Sequence, residues 1–244
     1  MQKTDQDQIV QTYERDGVVR IHGLLSPDEL AEVREAIERY TREILPGLPP
    51  EDRTYEADGK AVRNLWRMDK HDPYFKRLTE HPGIRQLVSR LVKGEPVALG
   101  VESFNKPPRI GSAVPPHQDN AYFCQSPADV LTVWIALDTA TVENGAVYYD
   151  KGTHTQLRRH IPSGVAGNSF GLEGYEGADP NNEFCGTLEP GDALIHHCQV
   201  IHRSEPNTTD KARRGLLMVY RGAHTKTDPV LQEEYDRARS LMKS

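Results

Sequence analysis

Pro115-Pro116-His117-Gln118-Asp119-Asn120 sets a histidine and a carboxylate two residues apart, the spacing at which side chains on an extended strand share one face. Such a pair can seat a metal. One histidine from a distant strand would complete a 2-His-1-carboxylate triad, which leaves coordination positions on Fe(II) open for other ligands. The run Ala193-Leu194-Ile195-His196-His197 reads as a buried strand, and Val200-Ile201-His202-Arg203-Ser204 as the next extended piece. His196, His197 and His202 are therefore all candidates for the third ligand.

Around this stretch the chain is rich in short β-type runs. From Pro96 onward, residues 97–104, 130–137, 145–150, 193–197 and 215–220 carry apolar and β-branched residues between Gly, Pro and Asn, the pattern of a sandwich or barrel. Residues 155–189, with much Gly, Asn and Ser, read as a functional loop or lid. The part before Pro96 is mainly helical. Residues 4–16 form a helix closed by Gly17, and residues 18–21 a strand. In the next helix Ser26 is the N-cap, Pro27 takes the first helical position and Glu29 completes a capping box, while Leu30, Val33, Ile37, Tyr40 and Ile44 recur on one face. The polar segment 46–60 has no periodicity and reads as a loop that covers a site or moves. Two short helices follow at 72–80 and 82–92. At the far end Asp228 and Pro229 start a helix with Leu231, Tyr235, Ala238 and Met242 along one face.

With 244 residues and no linker-like composition, the chain is expected to be one domain. Its helical part spans about 1–95, its β core about 96–222 and its C-terminal helix about 228–242. Three cysteines, Cys124, Cys185 and Cys198, make neither a disulfide framework nor a zinc-like spacing. Residues 1–7 do not resemble a secretory leader, and no apolar run approaches the roughly eighteen residues that span a bilayer. A cytoplasmic protein with no membrane partner is the expectation. The net charge of -6 argues against nucleic-acid binding, and the oligomeric state is not legible.

A second block decides among the histidines. His202-Arg203-Ser204-Glu205-Pro206-Asn207-Thr208-Thr209-Asp210-Lys211-Ala212-Arg213 sets an arginine eleven positions after His202. Here the sequence resembles the phytanoyl-CoA dioxygenase family of Fe(II)/2-oxoglutarate oxygenases. The likeness runs through Tyr13-Glu14-Arg15-Asp16-Gly17, Gly23-Leu24-Leu25-Ser26, Asn105-Lys106-Pro107-Pro108, His117-Gln118-Asp119, Trp134, Glu143-Asn144-Gly145, Gly152-Thr153-His154 and Gly191-Asp192. It implies a mainly β fold with flanking helices around a double-stranded β-helix, the jelly-roll or cupin-like core. It also implies His117, Asp119 and His202 as iron ligands. His197 matches a histidine that stands before the ligand strand and is expected to support or pack; it is the runner-up ligand. His154 and His196 are expected to be structural.

The same resemblance assigns Arg213 to the far carboxylate of 2-oxoglutarate, a task suited to the fixed fork of a guanidinium. Arg214, its neighbour, points to the opposite face of a strand. Ser204 assists, and Lys106, Gln118 and Trp134 match positions that line the cosubstrate pocket. One departure is Lys151-Gly152-Thr153-His154, where the family often reads Pro-Gly-Ser-His.

The expected cofactors are Fe(II), 2-oxoglutarate and O2, and the expected reaction is hydroxylation of an unactivated carbon with release of succinate and CO2. Desaturation, epoxidation, ring closure or an acyl-CoA thioester substrate are the alternatives within the class; a non-catalytic metal-binding jelly roll is the alternative outside it. Asp119 disfavours halogenation, which needs the carboxylate's place for halide. The substrate is expected to be a small polar or acidic metabolite, because Arg63, Arg67, Arg109, Arg158, Arg159 and His160 fall in or beside loops where they can gather an anion. Tyr122, Tyr148 and Tyr149 are candidates to hydrogen-bond it.

Overall fold

The computed structural model describes residues 3–165 and 167–241. Helix α1 (Lys3–Asp16) stops at Gly17, whose φ of 75° turns the chain into β1 (Val18–Ile21). Helix α2 (Pro27–Glu43) starts from the expected capping box: Ser26 Oγ accepts from Glu29 N, and Glu29 Oε2 accepts from Ser26 N at 2.8 Å. The segment expected to be a loop then supplies a strand, β2 (Arg53–Tyr55), which pairs with β3 (Val62–Leu65). Three short helices follow, α3 (Met68–His71), α4 (Pro73–Leu78) and α5 (Pro82–Leu91).

The β part comprises β4 (Pro96–Lys106), β5 (Val114–His117), the single turn α6 (Asn120–Phe123), β6 (Gln125–Ser126), β7 (Val130–Ala136) and β8 (Val147–Asp150). Next come β9 (His160–Val165), β10 (Asn168–Leu172) and β11 (Glu183–Gly186). These three occupy the stretch expected to be a lid, so its glycines connect strands as well as form turns. The chain ends with β12 (Ala193–His197), β13 (Ile201–Ser204), β14 (Arg213–Gly222), β15 (Lys226–Thr227) and α7 (Pro229–Leu241). Met242, placed on the apolar face of that last helix by its spacing, lies outside the described residues.

Two antiparallel sheets make the jelly roll. One has seven strands in the order β1-β12-β7-β14-β4-β3-β2, the other four in the order β11-β8-β13-β5. Strand β7 is buried throughout, and its alternation divides the core in two. Leu131, Val133 and Ile135 face outward, where they join Ile195 and Met218 with Leu30, Val33, Ile37 and Tyr40 of α2 and Ile84 and Val88 of α5. Trp134 and Ala136 face inward against Leu194, Leu217, Val147 and Tyr149 between the sheets. The helical layer thus covers one face of the large sheet and leaves the other for the site.

These roles differ in energetic weight. Ile195→Ala, which empties a fully buried position, is expected to lower stability by roughly 2–5 kcal/mol. Ser26→Ala removes one cap and is expected to cost about 1 kcal/mol. Urea unfolding of the two variants checks the order, and a larger loss at Ser26 would contradict this account of the core.

Candidate metal centre

Strands β5 and β13 lie side by side with His117 opposite His202, and their ring centroids are 4.1 Å apart. Each ring has one nitrogen committed. His117 Nδ1 lies 2.8 Å from Pro115 O and His202 Nδ1 3.0 Å from Val200 O. A carbonyl can only accept, so Nδ1 carries the proton in both rings and the Nε2 lone pair is free. Both Nε2 atoms face Asp119 Oδ1, at 3.4 Å and 3.5 Å. Ligand atoms of His117, Asp119 and His202 all lie within 4.8 Å of one another, which is close enough to surround one ion.

Asp119 reaches this position differently from the expectation. Strand β5 ends at His117, and Asp119, with φ -59° and ψ -30°, is already helical at the entry to α6. The two ligands are therefore brought together by a strand end and a helical turn, not by one extended face. The carboxylate is fixed by its other oxygen: Oδ2 is 3.1 Å from Thr132 Oγ1 and 3.1 Å from His196 Nε2. Since His196 Nε2 donates there, its Nδ1 accepts, and Tyr149 Oη lies 3.1 Å from it. Tyr149, His196 and Thr132 together leave Oδ1 turned toward the histidines.

Electrostatics follow the same design. Burial, reinforced by His117, pushes His202 down to about 3, toward the neutral form that a metal ligand must take. Burial works to raise the Asp119 carboxyl, but His202, His117 and His196 outweigh it and hold it well below the usual carboxylate range.

His196, expected to be structural, thus supports the ligand carboxylate, whereas His197 points away. The His197 ring packs near Tyr13 and His154, with Nδ1 accepting from Gln199 N at 3.0 Å. Strand alternation accounts for the exchange, because His196 shares the inward face of β12 with Leu194. His154 lies apart from the centre, 3.2 Å from Glu14 O.

The centre opens into a cavity of about 490 Å³ between the sheets, which Trp134, Ser204 and Arg213 also line. Arg213 is 3% exposed, its guanidinium lies 5.2 Å from the Trp134 ring centre, and Nη2 donates to Gly145 O at 3.0 Å. Its Nε is buried without a partner, and no acid of the described residues pairs with it. Burial brings its pKa down to about 10. Arg214 faces the other side and forms a forked pair with Asp138 at 2.8 Å and 2.9 Å. Gly215 makes the floor possible, since a Cβ there would overlap the Trp134 indole.

Two residues expected to line the cosubstrate pocket do not line this cavity. The Gln118 amide donates to Gln156 O at 2.8 Å and to Gln199 O and accepts from Arg158 N at 2.7 Å, so it ties loops behind the ligand turn. Lys106 is opposite Arg213 in the sheet, but its Nζ donates to Ser112 O and it does not line the cavity. Burial, with Arg213 and Arg63 nearby, pushes it down to about 6.

The basic residues do not converge either. Of the six, only Arg67 lines the cavity, and it is bridged to Asp52. Arg63 pairs with Glu56, Arg109 with Asp210, Arg159 with Glu173, Arg158 is exposed, and His160 accepts from Gln118 N. Tyr122 lines the cavity with its hydroxyl bonded to Phe170 O, Tyr149 serves His196, and Tyr148 lies under Arg203. Glu51, Thr54 and Gly167 bring both segments read as loops to the cavity wall.

Residues 13–215 match the family described as Phytanoyl-CoA dioxygenase (PhyH). The chain is 28% identical over 263 residues to "Phytanoyl-CoA dioxygenase domain-containing protein 1" of Danio rerio, covering 86% of this chain and 87% of the relative. It is 35% identical over 173 residues to the Rattus norvegicus protein of the same name, covering 68% and 57%. Among solved structures it resembles the epimerase SnoN in complex with Fe3+, alpha ketoglutarate and nogalamycin RO, with a TM-score of 0.75, 22% identity and coverage of 96% and 90%. That likeness carries the fold.

His196→Phe is expected to weaken Fe(II) binding by roughly 10- to 100-fold, because Asp119 loses a donor that orients it. Anaerobic calorimetric titration measures this; an unchanged affinity would mean that the imidazole does not position the carboxylate.

Proposed function

This chain belongs to the phytanoyl-CoA dioxygenase family of Fe(II)/2-oxoglutarate-dependent dioxygenases, and from that premise we propose that it hydroxylates a carbon of a small polar metabolite at the His117, Asp119 and His202 centre. Iron with 2-oxoglutarate and O2 supplies the oxidation of an unactivated C–H bond, with succinate and CO2 released. The residues present fit both groups. Two imidazole Nε2 atoms and one carboxylate oxygen would supply a facial donor set with room on the cavity side.

The observation that carries the reading is Arg213. A guanidinium buried with Nε unpartnered and no acid beside it is unfavourable until an anion arrives. In this reading a dicarboxylate satisfies it through the fork, Trp134 supports the guanidinium from one face, and Ser204, two residues beyond His202, adds a hydroxyl. Gln118 acts from behind by fixing the turn that carries Asp119, and Lys106, pushed toward its neutral form beside Arg213, holds the Ser112 carbonyl through Nζ. An acidic substrate loses its support, since the arginines expected to hold it are dispersed or paired.

We read residues 1–244 as one oxygenase domain, supported by the continuous core that joins α2 and α5 to the large sheet. Among the described residues no helix is long and apolar enough to cross a membrane. Three free cysteines suit a reducing, cytoplasmic setting.

Arg213→Ala is expected to weaken 2-oxoglutarate binding by about 3 kcal/mol, on the order of 100-fold. Arg214→Ala, on the outer face, should change it little. The weak visible absorption band of the anaerobic Fe(II) protein on titration with 2-oxoglutarate is the readout; equal effects from the two variants would refute the assignment of Arg213.

A further inference from the structure

Strand register turns the cavity floor into a grid. On the inward face Glu102 of β4 lies beside Leu217 of β14, which lies beside Trp134 of β7. One step along, Gly100, Val219, Thr132 and His196 form the row that meets Asp119. Arg213 lies four residues beyond Leu217 in the other direction. Glu102 is therefore in the cavity, two strands from Trp134 and on the far side of β14 from the metal ligands.

No cation among the described residues pairs with it. The Glu102 carboxylate has no hydrogen bond or ion pair among the described residues, and the charged neighbours it feels are Asp119 and Asp69, both acids. Burial first, then those two carboxylates, raises it to about 8. Arg213 is not its partner, and the cavity arginines nearer the surface are engaged: Arg67 with Asp52, Arg203 with Glu183 and Glu205. Arg239 lies over the Tyr235 ring. On the same strand face stands Phe104, against which Trp66 packs edge-on with centroids 5.0 Å apart, and both rings line the cavity.

A carboxyl without a partner, beside aromatic rings in a cavity wall, is the chemistry of ammonium recognition: a protonated amine set against it draws it to the ionised form that supplies the counter-charge, and the ring faces attract the cation. An anionic substrate would instead meet Glu102 with Asp119 and Asp69 as the charges around it, an unfavourable pairing of like signs. We propose that Glu102 is the specificity-determining residue of this oxygenase, and that its substrate is a small amine whose protonated nitrogen binds Glu102 while a carbon some atoms away faces the metal centre. The proposal rests on the oxygenase reading and deepens it.

The test uses the anaerobic protein loaded with Fe(II) and 2-oxoglutarate, so that Arg213 is already occupied. Three probes of equal length, n-pentylammonium, 1-pentanol and pentanoate, are titrated separately. Binding is followed by calorimetry and by the fluorescence of Trp66 and Trp134, the chain's two tryptophans, both in the cavity wall. The ammonium is expected to bind at least about tenfold more tightly than either other probe. Glu102→Gln should abolish that preference, and Glu102→Asp should keep it at reduced affinity, with thermal unfolding confirming that both variants are folded. A preference for the alcohol or the carboxylate, no ammonium binding at millimolar concentration, or a preference that survives Glu102→Gln overturns the proposal. If the 2-oxoglutarate band forms normally in those cases, the oxygenase reading stands and this assignment alone fails; a band absent from the native protein removes both.

Discussion

The Asp119 carboxylate is held from both sheets at once. Its Oδ2 is fixed by Thr132 and His196 of the seven-stranded sheet, while Oδ1 faces His117 and His202 on the four-stranded sheet. Much else follows from that division. The sheets must face each other at a set separation, β5 must end where it does so that the chain can turn, and Tyr149 must reach across to His196. A ligand whose second oxygen is already committed offers one oxygen to a metal, which keeps the remaining positions open for chemistry.

The cavity also concentrates charge that the fold alone does not neutralise. Arg213 lines it without an acid paired to it among the described residues, and Glu102 stands without a partner on the adjacent strand β4. A buried ionisable group is tolerable only when paired or neutral, and under our proposal a bound group supplies each partner. Ligands that bind the native state alone also stabilise it, so under the proposed assignment 2-oxoglutarate would stabilise the fold through Arg213. The helical layer offsets the cost of such groups from the opposite face of the same sheet, where α2 and α5 cover a continuous apolar surface.

The outline of the fold was legible because its signals are local. The capping box at Ser26, the alternating runs of β4, β7, β12 and β14, and Gly17 at its positive φ are each set by neighbours in sequence. What escaped depends on partners distant in the chain. Strands β2 and β3 are polar and short, and exist because β4 offers an edge to pair with. His196 and His197 are adjacent, and only the register of β12 against β7 decides which one faces Asp119. Gln118 and Lys106 match family positions, yet their polar atoms are taken up by loop carbonyls that no local pattern reveals. Glu102 did leave a trace, the one acid of a strand whose first six residues are apolar or glycine. Strand alternation lets only one of Arg213 and Arg214 face the pocket, the resemblance pointed to Arg213, and the outward pair of Arg214 with Asp138 fits that choice.

Iron K-edge X-ray absorption of the anaerobic Fe(II) protein tests the centre most directly, because it counts imidazoles. The account predicts two imidazole ligands with oxygen atoms completing the shell, and one imidazole in His202→Ala. A third imidazole, which would bring His196 or His197 onto the metal, or an unchanged count in the variant would contradict it.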